Sequence, residues 1–104
     1  MKAAYHTGNR DRNEAEIIRV VKAMGIRVTR LKPGDGADLL VWVRPIQVWE
    51  IKNPAQKPSD RLLTGNELEA LDYCAREGIP YRVIETVDEA VAEINALREK
   101  ESGL

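Results

Sequence analysis

Apolar and polar residues alternate along this chain with two periods, and the switches between them mark the elements. Ile17, Ile18, Val21 and Met24 recur at helical spacing behind a start at Asp11-Arg12-Asn13-Glu14, and Gly25 supplies the stop. The ten residues before that start are polar and predict a loose segment. Ile26-Arg27-Val28-Thr29-Arg30-Leu31 alternates as a half-exposed strand, and Lys32-Pro33-Gly34-Asp35-Gly36 reads as a turn. Two apolar runs follow, Asp38 to Val43 and Val48 to Lys52, joined by the short turn Arg44-Pro45-Ile46, and they predict an antiparallel hairpin.

Both runs are apolar on both faces. Leu40, Trp42, Ile46 and Val48 share the face of Asp38 and Glu50, while Leu39, Val41, Val43, Trp49 and Ile51 occupy the other. The hairpin is therefore expected in the centre of a sheet covered on both sides, with Trp42 and Trp49 as core residues. A proline-broken loop, Asn53 to Arg61, comes next. Thr64-Gly65-Asn66-Glu67 is a capping box opening a helix to about Glu77, with Leu68, Leu71 and Ala75 inward and Gly78 as its end. Tyr81-Arg82-Val83-Ile84 is a strand. Thr86-Val87-Asp88-Glu89 opens the last helix, whose buried stripe is Val87, Ala90, Val91, Ile94 and Leu97. The order is α-β-β-β-α-β-α, an α/β fold with a mixed central sheet flanked by helices.

With 104 residues the chain is expected to be one domain, residues 1–104, with a core from about 11 to 98. A single cysteine, Cys74, excludes an internal disulfide and reads as a packed residue on a helix face. No long apolar run or signal-like start is visible, so the sequence reads as soluble and intracellular, with no membrane partner. The net charge of −1 hides an asymmetry: residues 1–62 carry 12 Lys/Arg against 7 Asp/Glu, and residues 63–104 carry 4 against 10. The basic half also holds the candidate chemistry, as a polyanion surface requires.

That chemistry lies at one end of the hairpin. Counting back from the turn sets Asp38 opposite the segment Glu50 to Lys52, with Glu50 and Lys52 on one face and the Ile51 carbonyl near the carboxylates. A Glu-x-Lys alone is a weak signal, since a salt bridge on one strand face explains it. Asp38 strengthens it, because like charges placed together in a half-buried sheet are unfavourable without a cation between them. Glu14 begins the helical stripe Ile17, Ile18, Val21, which turns it toward the sheet as a third carboxylate, although it could also close a capping box with Asp11. His6, the only histidine, reads as exposed and idle, so no histidine-based dyad is available. There is no helix-turn-helix, zinc ligand set or phosphate-binding loop.

These residues resemble the PD-(D/E)XK nuclease superfamily, and within it the small stand-alone VRR-NUC and Holliday-junction-resolvase-like members of phages and bacteria. The likeness spans roughly Asn13 to Leu97: a helix-borne Glu14, Asp38 at a strand start, then Glu50-Ile51-Lys52 on the next strand. Ala37 departs from the proline that precedes the family's aspartate. Some subfamilies carry a glutamine beyond the lysine; Gln56 is the candidate, while Glu67 stands at the helix position others use.

The resemblance implies a restriction-endonuclease-like fold and a metal-dependent endodeoxyribonuclease that hydrolyses DNA phosphodiester bonds, selective for structure rather than sequence. It implies catalytic Glu14, Asp38, Glu50 and Lys52, with Mg²⁺, replaceable by Mn²⁺, on Asp38, Glu50, the Ile51 carbonyl and, through water, Glu14. Arg30, Lys32, Gln56, Lys57 and Arg61 are the expected DNA contacts. A homodimer acting on duplex or branched DNA in the cytoplasm of a bacterial or phage-infected cell completes the expectation. The alternative is a non-cleaving nucleic-acid-binding or interaction module on the same fold.

Overall fold

The computed structural model describes residues 2–102, with side chains from 13 to 100. The elements are α1 (Lys2–Ala23), β1 (Arg27–Arg30), β2 (Leu39–Trp42), β3 (Gln47–Ile51), a short 3₁₀ turn (Pro58–Arg61), α2 (Gly65–Glu77), β4 (Tyr81–Ile84) and α3 (Val87–Ser102). This is the expected order of an α/β fold. The sheet runs β1-β2-β3-β4, with antiparallel pairs β1/β2 and β2/β3 and a parallel pair β3/β4. The hairpin is central, as its apolar runs on both faces required.

One face of the sheet carries the main core. Leu39, Val41, Trp49, Ile51 and Ile84 pack with Ile17 and Val21 of α1 and with Ala90 and Ile94 of α3. Gln47 is buried on this face without an unmet polar group: its amide oxygen accepts the Trp49 Nε1–H at 2.8 Å and its amide nitrogen donates to Glu93. The opposite face is covered by α2 alone, through Ala37, Cys74 and Tyr81 with Leu31, Val48, Ala70 and Leu71 around them. Cys74 is buried and packed.

Three expectations are corrected. α1 is already helical at Lys2, where Lys-Ala-Ala favours a helix, so Asp11 is not an N-cap; the loose N-terminal segment is not observed. His6 falls among residues whose side chains lie outside the described set. On α2 the inward stripe is Glu67, Ala70, Leu71 and Cys74, while Leu68 and Ala75 face solvent, because the helix turns its capping glutamate toward the sheet end. Trp42 is not core: it is 42% exposed, at the end of β2 away from Leu31, Val48 and Tyr81, which α2 packs against.

The loop that leads into β2 is pinned to α2. Asn66 Nδ2 donates to the Gly34 carbonyl at 2.9 Å, and the Tyr81 hydroxyl donates to the Gly36 carbonyl at 2.7 Å. Gly36 has φ +83°, and a Cβ there would lie 2.6 Å from Ala70 Cβ and 2.8 Å from the Asn66 carbonyl oxygen. Gly34, at φ +95°, meets open space. Gly36→Ala is therefore expected to lose about 2–4 kcal/mol, from backbone strain plus overpacking, and Gly34→Ala only about 1–2 kcal/mol. Denaturant unfolding of the two variants checks this; equal losses contradict the close approach.

Candidate active site at the end of the hairpin

The β2/β3 register pairs Leu39 with Trp49, which carries Asp38 to the level of Glu50. The Asp38 N–H donates to the Trp49 carbonyl at 3.0 Å, and the Asp38 carboxylate accepts the Ile51 N–H at 2.8 Å. In an extended strand the N–H and C=O of one residue point to the same side, so the Ile51 carbonyl also turns toward β2. Glu50 is 1% exposed and Lys52 4%. Lys52 Nζ lies 2.9 Å from Glu67 Oε1 and 3.4 Å from Glu50 Oε2.

Glu67 links this cluster to the start of α2. Thr64 is the N-cap of a complete capping box, and the same Glu67 oxygen that accepts the Thr64 N–H at 2.9 Å accepts from Lys52. At the other strand ends, Asn13 of α1 donates its side-chain amide to the Lys52 carbonyl at 3.1 Å and the Glu85 carbonyl at 3.4 Å. Glu67 enters the sequence analysis only as a capping residue and at the helix position where relatives of the resembled family carry glutamine, while Asn13 carries no comparable signal and is missed.

A cavity of about 450 Å³ opens above Asp38 and Glu50, lined also by Glu14, Arg30, Lys32, Glu67 and the 33–37 loop. The structure thus brings together Glu14, Asp38, Glu50, Arg30 and Lys32. Glu14 pairs with Arg30 at 3.3 Å. Lys52 lies behind Glu50 and does not line the cavity. Gln56, Lys57 and Arg61 lie outside its lining, on the loop after β3, and Arg61 is engaged by both oxygens of Glu85 at 3.1 Å. Among the described residues, no three or more His, Cys, Asp or Glu side chains are arranged as a metal-binding group. No helix there is long and apolar enough to cross a membrane.

Burial pushes the Glu50 carboxyl up to about 8; the Asp38 and Glu67 carboxylates add to the shift, and Lys52 opposes it. Burial pushes Glu67 up as well, but the Thr64 N–H and the Lys52 ammonium outweigh it and hold that carboxyl below its ordinary value. The Tyr81 hydroxyl is raised by burial and by the same carboxylates.

The raised Glu50 pKa fixes the sign of a pH effect. The folded chain keeps a proton that the unfolded chain releases, so this stabilisation is complete below about 4.5 and is lost as pH rises through about 8. In chelator, the melting temperature is expected to fall over that window, and Glu50→Gln is expected to flatten the profile. A wild-type profile no steeper than that of the variant contradicts the assignment. Comparison of the chain with protein families, curated proteins and solved structures returns no match.

Proposed function

We propose that the chain is a divalent-metal-dependent nuclease, with DNA as substrate and Asp38 and Glu50 as its central carboxylates. The observation that carries this reading is Glu50: a carboxyl buried to 1% exposure beside Asp38 and Glu67, with a raised pKa that a bound cation would reverse. The donors fit a hard ion. Mg²⁺ commonly takes one or two carboxylates and keeps several waters, which two carboxylates and the Ile51 carbonyl suit without a third acidic side chain. Mn²⁺ suits the same donors. When bound, such an ion polarises phosphate oxygen and makes water a better nucleophile.

The chain's own residues do the rest. Asp38 is fixed by its bond to the Ile51 N–H, so its carboxylate is set before any ligand arrives. Lys52 places a positive charge beside Glu50, held there by Glu67, where it offsets negative charge in a site shielded from water. Arg30 and Lys32 supply the cationic rim for the phosphate backbone, and Glu14 sets the position of Arg30. The charge asymmetry along the sequence favours a polyanion on this side, and recognition by charge and shape favours a branched or nicked duplex. One small domain covers little DNA, so two copies acting together complete the reading.

A second reading, a binding module without cleavage, draws on the withdrawal of Lys52 from the cavity. Cleavage of a panel of supercoiled plasmid, linear duplex, single strands, flaps and four-way junctions, with Mg²⁺ or Mn²⁺, separates the two. The wild type is expected to cut at least one substrate, Asp38→Ala to lose about 100-fold or more, and Lys52→Ala to lose cleavage while retaining DNA binding. Binding without cleavage by the wild type on the whole panel favours the module.

A further inference from the structure

The far end of β2 carries a second set of groups suited to nucleic acid. Side chains alternate along a strand, so Trp42 shares the sheet face of Asp38, about 13 Å further along. Its ring is held from two sides. The Nε1–H donates to Thr29 Oγ1 at 2.9 Å, and the Arg27 guanidinium lies over the ring, 5.0 Å from its centroid. Even so, the indole stays 42% exposed. Beyond the ring, the end of β2 opens on a groove lined by Trp42, Arg44 and residues of the α1/α3 side, none of them acidic; Arg98, across that groove, already donates to the Met24 carbonyl.

A fixed, exposed aromatic ring costs no ordering when a flat ligand stacks on it. Guanidinium groups beside it match phosphate.

We propose that Trp42 is the stacking platform of a second nucleic-acid subsite, taking one unpaired nucleotide of a single-stranded segment, with its base on the indole and its phosphate at Arg44. The proposal rests on nucleic acid being the ligand of the protein, and it adds a preference for strands with unpaired nucleotides. Duplex ends keep their bases stacked on each other and have none to offer the ring.

The two tryptophans make the test direct, because Trp49 is 0% exposed and serves as an internal reference. Intrinsic fluorescence of the full chain is followed in EDTA, so that cleavage plays no part, during titration with an oligothymidylate of about 12 nucleotides, within the span such sites cover. A blunt duplex of equal length and thymidine monophosphate are run in parallel. The single strand is expected to quench the emission saturably and more tightly than the duplex. Trp42→Ala is expected to remove the quench and weaken binding, read by anisotropy of a labelled strand, about 5- to 100-fold. Arg44→Glu, an exposed loop change that leaves the ring in place, is expected to weaken it too.

Unaltered emission on saturation with single strand, or unchanged affinity in a folded Trp42→Ala, overturns the subsite. So does absence of strand binding by the wild type. Binding of the monophosphate as tight as that of the strand assigns the groove to a free nucleotide and overturns the strand reading. A protein that binds single strands through Trp42 yet cuts nothing refutes only the nuclease activity.

Discussion

A carboxyl buried beside two other carboxylates is a costly arrangement, and the structure around Glu50 is organised by that cost. Burial in low dielectric and repulsion from Asp38 and Glu67 both disfavour the Glu50 anion. Three remedies exist: a proton, a fixed cation from the chain, or a metal ion. Lys52 supplies part of the second, 3.4 Å from Glu50, and is itself secured at 2.9 Å by Glu67. An ammonium shared between two carboxyls leaves the cluster with more negative than positive groups once Asp38 is counted. That surplus is what an incoming cation would satisfy.

The scaffold delivers this cluster through a few local devices. The antiparallel register brings Asp38 level with Glu50, and the Asp38 carboxylate ties the strands by accepting the Ile51 N–H. The capping box of α2 turns Glu67 down onto Lys52, so a helix start and a strand end share one oxygen. Asn13 fastens α1 to the ends of β3 and β4. The same economy leaves a gap: two helices cover one face of the sheet, while α2 covers the other around Leu31, Val48 and Tyr81. Trp42 lies outside that contact.

Much of this was legible in the residues. Alternation in both hairpin strands predicts a central position and the faces of Leu39, Val41, Trp49 and Ile51, because burial on both sides leaves a run with few polar positions. The turn Arg44-Pro45-Ile46 sets Asp38 opposite the segment Glu50 to Lys52, and the observed pairing of Val41 with Gln47, across a longer connection than that turn, narrows it to Glu50. The helical stripe places Glu14 toward the site, and α1 being helical before Asp11 removes the capping explanation for it. What escaped depends on how far elements reach in space. A tryptophan in a strand reads as core unless the length and position of the covering helix are known. Leu68 and Ala75 look inward by hydrophobicity, but the demand of Glu67 for Lys52 rotates α2 to bury Cys74 and Ala70 instead. The ion pair of Arg61 with Glu85, just after β4, joins segments that lie far apart in the sequence and has no signal there.

The central claim is that Asp38 and Glu50 form a divalent-cation site in the free protein. Titration with Mn²⁺, followed by electron paramagnetic resonance of the free ion without nucleic acid, tests it most directly. The account predicts saturable binding that competes with Mg²⁺ and is lost in Asp38→Ala, a variant whose fold is checked by circular dichroism. No saturable binding by the wild type, or equal binding by the variant, contradicts it.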